Sequence, residues 1–194
     1  LHFRIRDYLS VLFYRLLAPF FARLGKGVRI VWPLRIFGAK FCEFGDGAVL
    51  QYGAYLAVLK EHEDPPLLRI GARTMIGNHS HIVVTKRVEF GEGVLTADRL
   101  FVSDNGHEFA DPTVPILDQG LRQLAEVHIG DGSWIGENVC ISGASIGRNC
   151  VIASAIAVLV LCVHAPTVYC AAGRVRQLDR ERHHRYKHNG QHDH

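Results

Sequence analysis

The chain repeats itself every six residues. An aliphatic residue or Phe followed by Gly recurs at Phe44-Gly45, Ile70-Gly71, Ile76-Gly77, Phe90-Gly91, Ile129-Gly130, Ile135-Gly136 and Ile146-Gly147. A polar residue usually follows, as at Asp46, Asn78, Glu92, Asp131, Glu137 and Arg148. The apolar beat continues without Gly at Leu50, Ile82, Ile141 and Ile152, and Ala48, Ser80, Val94, Val139 and Cys150 stand four positions after a beat. A six-residue period matches neither the 3.6 of a helix nor a hairpin meander. It matches short strands joined by tight turns at the corners of a triangular solenoid, three hexapeptides to a coil. The beat residue is expected inside, stacked on its equivalents above and below. The small residue is expected to fill a corner, and Gly to permit the bend that a Cβ would hinder. Each coil then buries its apolar surface only against its neighbours.

Two segments break the period. Residues 60–67, acidic and proline-bearing, and residues 105–126 are expected as loops extruded from a solenoid of residues 25–173. In a rigid scaffold such loops are where chemistry is placed. Residues 1–24 differ. Ile5, Leu9, Leu12, Phe13, Leu16, Phe20 and Leu24 recur at helical spacing, with Pro19 as a kink or break. Two readings of this amphipathic helix stand: a cap on the solenoid end, or interfacial contact with a membrane. Residues 174–194 read as a solvated basic tail, whose five His are a loose metal-binding alternative.

Charge is unevenly distributed. Residues 1–40 hold eight basic groups and one acid, whereas residues 41–173 hold eight basic and fifteen acidic groups. A basic front on an acidic body points to an anionic partner such as a membrane surface. The chain lacks the aromatic-studded basic face or zinc-finger spacing of a nucleic-acid binder. Its five Cys include no CxxC, which favours a reduced cytoplasmic setting over a disulfide framework. Cys140 and Cys150 are expected as small core residues. The N-terminus lacks the clean apolar core and cleavage site of a secretory signal. The apolar run 150–163 is short for a membrane span and keeps the repeat register, so it reads as buried strand.

The chemistry-bearing candidates gather at the second loop. The run Asp104-Asn105-Gly106-His107-Glu108 places an imidazole at the loop's root with Asp104, Glu108 and Asp111 nearby. Imidazole accepts protons near neutral pH, as activation of a hydroxyl requires. Trp134 is too large for a narrow prism. It is expected to point outward, either under a neighbouring subunit or as the wall of a groove for an elongated ligand.

The repeat, the run from Ser103 to Phe109, the loop from Asp111 to Gln119 and the run from Glu126 to Val139 resemble the hexapeptide-repeat acyltransferases over roughly residues 25–158. Within them, they resemble the maltose, galactoside and serine O-acetyltransferase group and the O-acetyltransferases of polysaccharide biosynthesis. The resemblance implies a left-handed parallel β-helix, a homotrimer, and acetyl transfer from acetyl-CoA to a sugar hydroxyl with no metal required. It gives His107 the role of general base and places Asp104 near the acceptor. It puts Trp134 beside the cofactor groove, and the backbone N–H groups near Gly136 and Glu137 at the thioester oxygen. Which of Asp104, Glu108, Asp118 and Glu126 orients the imidazole stays open. The chain departs from the family pattern after Val151: Ala153 replaces a Gly, and only Arg174 and Arg176 are left to meet the phosphates of CoA. With the basic N-terminal helix, a lipid-linked sugar at the inner face of the membrane becomes the expected acceptor. Two rivals remain: a γ-class carbonic anhydrase-like zinc enzyme using His79, His81 and His107, and a non-catalytic scaffold.

Overall fold

The computed structural model describes residues 2–155 and 157–159, so Arg174, Arg176 and the His-rich tail lie outside the described residues. The repeat winds into a left-handed parallel β-helix with three flat faces. The first face stacks Arg23–Leu24, Cys42–Phe44, Leu67–Ile70, Arg87–Phe90 and Val127–Ile129. The second runs from Arg29–Ile30 through Val49–Leu50, Met75–Ile76, Leu95–Thr96 and Trp134–Ile135 to Val151–Ile152. The third runs from Arg35–Phe37 through Tyr55–Val58, His81–Val84, Phe101–Ser103 and Cys140–Ser142 to Ala157–Leu159. Every contact within a face is parallel and in register.

The beat residues form the core. Phe44, Leu50, Ile70, Ile76, Ile82, Ile129, Ile135 and Ile141 are fully buried, as are the corner residues Ala48 and Ser80. Each large side chain among them contributes about 2 kcal/mol of burial free energy. Polar groups inside are satisfied across coils: the Thr74 hydroxyl donates to the Gly91 carbonyl at 2.6 Å, and the Thr96 hydroxyl accepts from Gly77 N–H at 2.9 Å. Cys42 joins the core, where burial pushes its thiol up to about 12. Cys140 does not. It sits on the outer side of the third face, in register with Phe101 and Ala157, because the beat falls on the next residue, Ile141.

The glycine of the repeat has a different task from the one its sequence position implies. At Gly71 and Gly77 a Cβ would lie 2.2 and 2.1 Å from the carbonyl oxygens of Gly91 and Ala97 on the next coil. Those glycines let coils touch. The bend itself falls two residues later, where Arg73, His79, Arg99, Asn138 and Asn149 adopt left-handed backbone with φ between 52° and 57°.

Helix α1 (His2–Leu16) lies against the first coil and ends before Pro19, which opens a 3₁₀ turn at Ala18–Phe20. The cap reading places the apolar stripe inward. The structure turns the helix otherwise: Ser10, Tyr14 and Leu17 face the protein, and Phe21 packs edge-on against Phe44 at 5.8 Å. Leu9, Leu12, Phe13, Leu16 and Phe20 are exposed. Among the described residues no helix is long and apolar enough to cross a membrane.

Gly77→Ala is expected to cost at least about 2 kcal/mol, since backbone must shift. Gly93→Ala meets open space and bears only its left-handed φ of 62°, about 1 kcal/mol. Denaturant titrations of the two variants check the order; equal losses would refute the close-approach account.

Candidate active site

The chain leaves the third face at Ser103, and the next residue is the anchor of everything beyond it. Asp104 is fully buried. Its carboxylate accepts backbone N–H bonds from Thr85 at 2.9 Å, Lys86 at 2.7 Å and Arg87 at 2.6 Å, and one from the Asn105 side-chain amide at 3.0 Å. Bonds to an ionised acceptor are the strong kind. Asp104, expected near the acceptor, fastens the hairpin root to the turn between two coils.

From there Asn105–His107 runs antiparallel to Leu121–Gln123, and a short helix α2 (Ile116–Gln119) forms the tip. The Gln119 side chain braces the tip by donating to the Asp111 and Val114 carbonyls. Thr113, first through its hydroxyl and then through its backbone N–H, holds the Asp111 carboxyl below its ordinary value.

Gln123 locks the root. Its side-chain Nε2 donates to the carbonyls of Asp104 at 2.6 Å and Leu124 at 3.0 Å. Its Oε1 is therefore the acceptor, taking the Thr85 hydroxyl at 2.8 Å and His62 Nε2 at 2.9 Å. That arrangement requires the proton of His62 to be on Nε2. So the two extruded loops, 61 residues apart in sequence, meet at His62 and Gln123.

His107 stands opposite Leu121, two residues beyond Asn105 and Gln123. Alternate residues of a strand share a face, so His107, Leu121 and Gln123 project to one side of the ribbon. His62 meets Gln123 on that side. The His107 imidazole is exposed, and among the described residues it has no hydrogen-bond partner. None of the candidate carboxylates bonds to it. Glu108 accepts from the N–H groups of Phe109 and Ala110, and Glu126 pairs with Lys86 at 2.9 Å and Arg87 at 3.7 Å.

Trp134 points outward from the second face at 40% exposure, in register between Leu95 and Val151. The three make an apolar strip across three coils. The backbone donors of Gly136 and Glu137, expected at the thioester oxygen, are both taken. Gly136 N–H donates to the Ile152 carbonyl at 2.8 Å, and Glu137 N–H to the Ser154 hydroxyl at 3.2 Å. Both donors are committed to the coil above, so neither is available to an oxyanion. Gly136 is glycine because a Cβ would meet Ser154 N at 2.6 Å. The Glu137 carboxylate pairs with Arg99.

The zinc reading's three histidines have separate surroundings. His79 takes the left-handed corner position, edge-on to Tyr52. His81 lies between Tyr55 and Phe101, with ring centroids 4.5 and 5.5 Å away. His107 is on the hairpin. Among the described residues no group of three His, Cys, Asp or Glu side chains could hold a metal ion.

Sequence comparison agrees with this architecture. Residues 126–159 match the family model described as the hexapeptide repeat of succinyl-transferase. A Mycobacterium tuberculosis protein named as an acetyltransferase, Rv3034c, is 37% identical over 97 residues, covering 50% of this chain and 31% of that protein. The Escherichia coli K12 protein WbbJ, named as a lipopolysaccharide biosynthesis O-acetyl transferase, is 29% identical over 94 residues, covering 42% of this chain. The chain spans 31% and 48% of the lengths of these two relatives. A crystal structure of AntD, an N-acyltransferase from Bacillus cereus, in complex with dTDP and coenzyme A, superposes with a TM-score of 0.48 at 18% identity, covering 90% of this chain and 95% of that one. The chain is thus a left-handed β-helix of hexapeptide repeats that resembles the hexapeptide-repeat acyltransferases.

Gln123→Ala removes the lock on the hairpin root. Amides of residues 105–107 and 121–123 are expected to exchange about tenfold faster, while coil amides hold their protection. Unchanged hairpin exchange would contradict the locking role. His81 supplies a pH test. Burial lowers its pKa from 6.5. The unfolded chain therefore binds that proton more readily, and stability is lost as pH falls below about 6.5. His81→Phe is expected to flatten the fall in melting temperature between about pH 7 and pH 5; an unchanged slope would show that His81 does not contribute.

Proposed function

We propose that the protein is an O-acetyltransferase that moves an acetyl group from acetyl-CoA to a sugar hydroxyl in cell-surface polysaccharide biosynthesis. The observation that carries this reading is His107, an uncommitted imidazole on a hairpin fastened to a rigid coil by Asp104 and Gln123. The two relatives named as acetyltransferases support it.

His107 takes the proton of the sugar hydroxyl as that oxygen attacks the thioester carbonyl. The tetrahedral intermediate expels the CoA thiolate, to which the His107 imidazolium returns the proton. The products are the sugar acetyl ester and CoA, with His107 neutral again. General-base assistance of this kind contributes about 10²–10⁴-fold. Asp104 acts as a positioning residue. The apolar strip of Leu95, Trp134 and Val151 suits the pantetheine arm of acetyl-CoA, since stacked strands lie about 4.8 Å apart and three of them span its alkyl portion. Arg174 and Arg176 remain the candidates for its phosphates.

The working unit in this reading is a homotrimer. The first face carries the alternating column Arg23, Glu43, Arg69, Glu89 and His128, in which Arg69 bridges Glu43 at 2.9 Å and Glu89 at 3.0 Å. The other faces carry exposed apolar side chains, Leu95 and Trp134 on the second and Phe37 on the third. Those faces suit contact with a copy, which supplies a second wall to the groove. The acceptor is a sugar, borne on a lipid-linked oligosaccharide at the cytoplasmic face of the inner membrane.

His107→Ala is expected to lower kcat at least about a hundredfold while leaving the melting temperature unchanged, because the ring makes no core contact. An unaltered kcat would remove His107 from the mechanism.

A further inference from the structure

We propose that the solenoid's N-terminal end is an anionic-membrane docking surface, formed by the exposed stripe of α1 and the cations of the first coil. This rests on α1 and the first coil alone and holds whichever reaction the hairpin performs.

The stripe is the first observation. Leu9, Leu12, Phe13 and Leu16 recur at helical spacing and Phe20 continues them; Leu12 is 56%, Leu16 73% and Phe20 66% exposed. The helix has already made its contact with the protein through Ser10, Tyr14 and Leu17. An apolar stripe left in water while a Ser is buried, its hydroxyl without a hydrogen-bond partner, is the reverse of what packing on the coil alone selects.

The cations are the second observation, and they are independent of the first. Of the eight Lys and Arg residues between 41 and 155, five pair with carboxylates, namely Arg69, Lys86, Arg87, Arg99 and Arg148, whereas Lys60, Arg73 and Arg122 do not. Residues 8–40 contain no Asp or Glu. There the side-chain cations of Arg15, Arg23, Lys26, Arg29, Arg35 and Lys40 form no ion pair among the described residues; the Asp46 carboxylate bonds to the backbone N–H of Lys26 at 2.9 Å and not to its ammonium. Arg15 and Lys26 line one cleft of about 600 Å³ between the helix and the glycine-bearing turn at Gly25 and Gly27.

Together these fit a bilayer rather than a copy of the same chain. A second molecule pressed onto the stripe face to face would bring Arg15 and Lys26 against the same cations of its copy, with no carboxylate among residues 8–40 to meet them. A leaflet rich in anionic lipid offers hydrocarbon to the stripe and headgroup phosphates to Arg15 and Lys26. A helix of this length lies in the interface and does not cross it.

Co-sedimentation of the full chain with phosphatidylcholine vesicles, and with vesicles also containing phosphatidylglycerol, tests this. Binding to the anionic vesicles is expected to exceed binding to the zwitterionic ones at least tenfold at low salt, and to weaken as salt screens the charges. Leu12→Gln with Leu16→Gln, both at exposed positions, is expected to lower anionic-vesicle binding at least tenfold with an unchanged melting temperature. Arg15→Glu with Lys26→Glu is expected to abolish the lipid preference. Three results would each overturn the proposal. One is a full chain that ignores anionic vesicles at low salt. Another is a glutamine variant that binds as the parent does. The third is a glutamine variant whose lipid-free mass changes by light scattering, which would make the stripe an interface between copies.

Discussion

Neighbouring coils of this protein approach so closely that Gly71 and Gly77 leave no space for a Cβ against the carbonyls of the next coil. That approach, repeated at the corners, keeps each beat residue directly above the last. Phe44, Ile70, Phe90 and Ile129 form one continuous column, with parallel ladders on every side. A stack of this kind has little freedom to slip, because moving a strand by one residue would turn the beat outward. Rigidity here is a consequence of in-register contact, and what projects from the stack inherits it.

The hairpin is the clearest beneficiary. A loop of 22 residues without anchors would leave an imidazole wandering. Asp104 removes that freedom by accepting three backbone N–H groups from the 85–87 turn, and Gln123 does so a second time through Asp104, Leu124, Thr85 and His62. His107 is held at the edge of this network and is not part of it. Its ring has no partner while its backbone is fixed, which is the arrangement the proposed general base requires. The acidic first loop, through His62, becomes a brace for the second.

The fold was legible in the sequence because its period is geometric. A six-residue beat fixes inward positions whatever the loops do, and Trp134 reads as outward on size alone. What was not legible concerns partners rather than periods. Helical spacing identified the stripe on α1 but not which side the first coil would cover, since Ser10, Tyr14 and Leu17 share the same 3.6 period as Leu9, Leu12 and Leu16. Gly136 looked like a backbone donor facing a ligand, yet its N–H is taken by Ile152 on a coil that the sequence places 16 residues away. Cys140 looked internal beside Ile141, although neighbours on a strand face opposite ways. His62 gave no local signal at all: its role exists only because Gln123 arrives from 61 residues on.

The proposed acetyl transfer depends on the rigid stack and its outward apolar strip forming an acyl-CoA site. Isothermal titration of acetyl-CoA into the full chain addresses it without knowledge of the acceptor. Saturable binding at one acetyl-CoA per chain is expected, weakened at least about tenfold by Trp134→Ala, with the melting temperature unchanged. Absence of binding by a folded parent protein, or binding indifferent to Trp134, would contradict the acyl-CoA site and leave the solenoid as a scaffold.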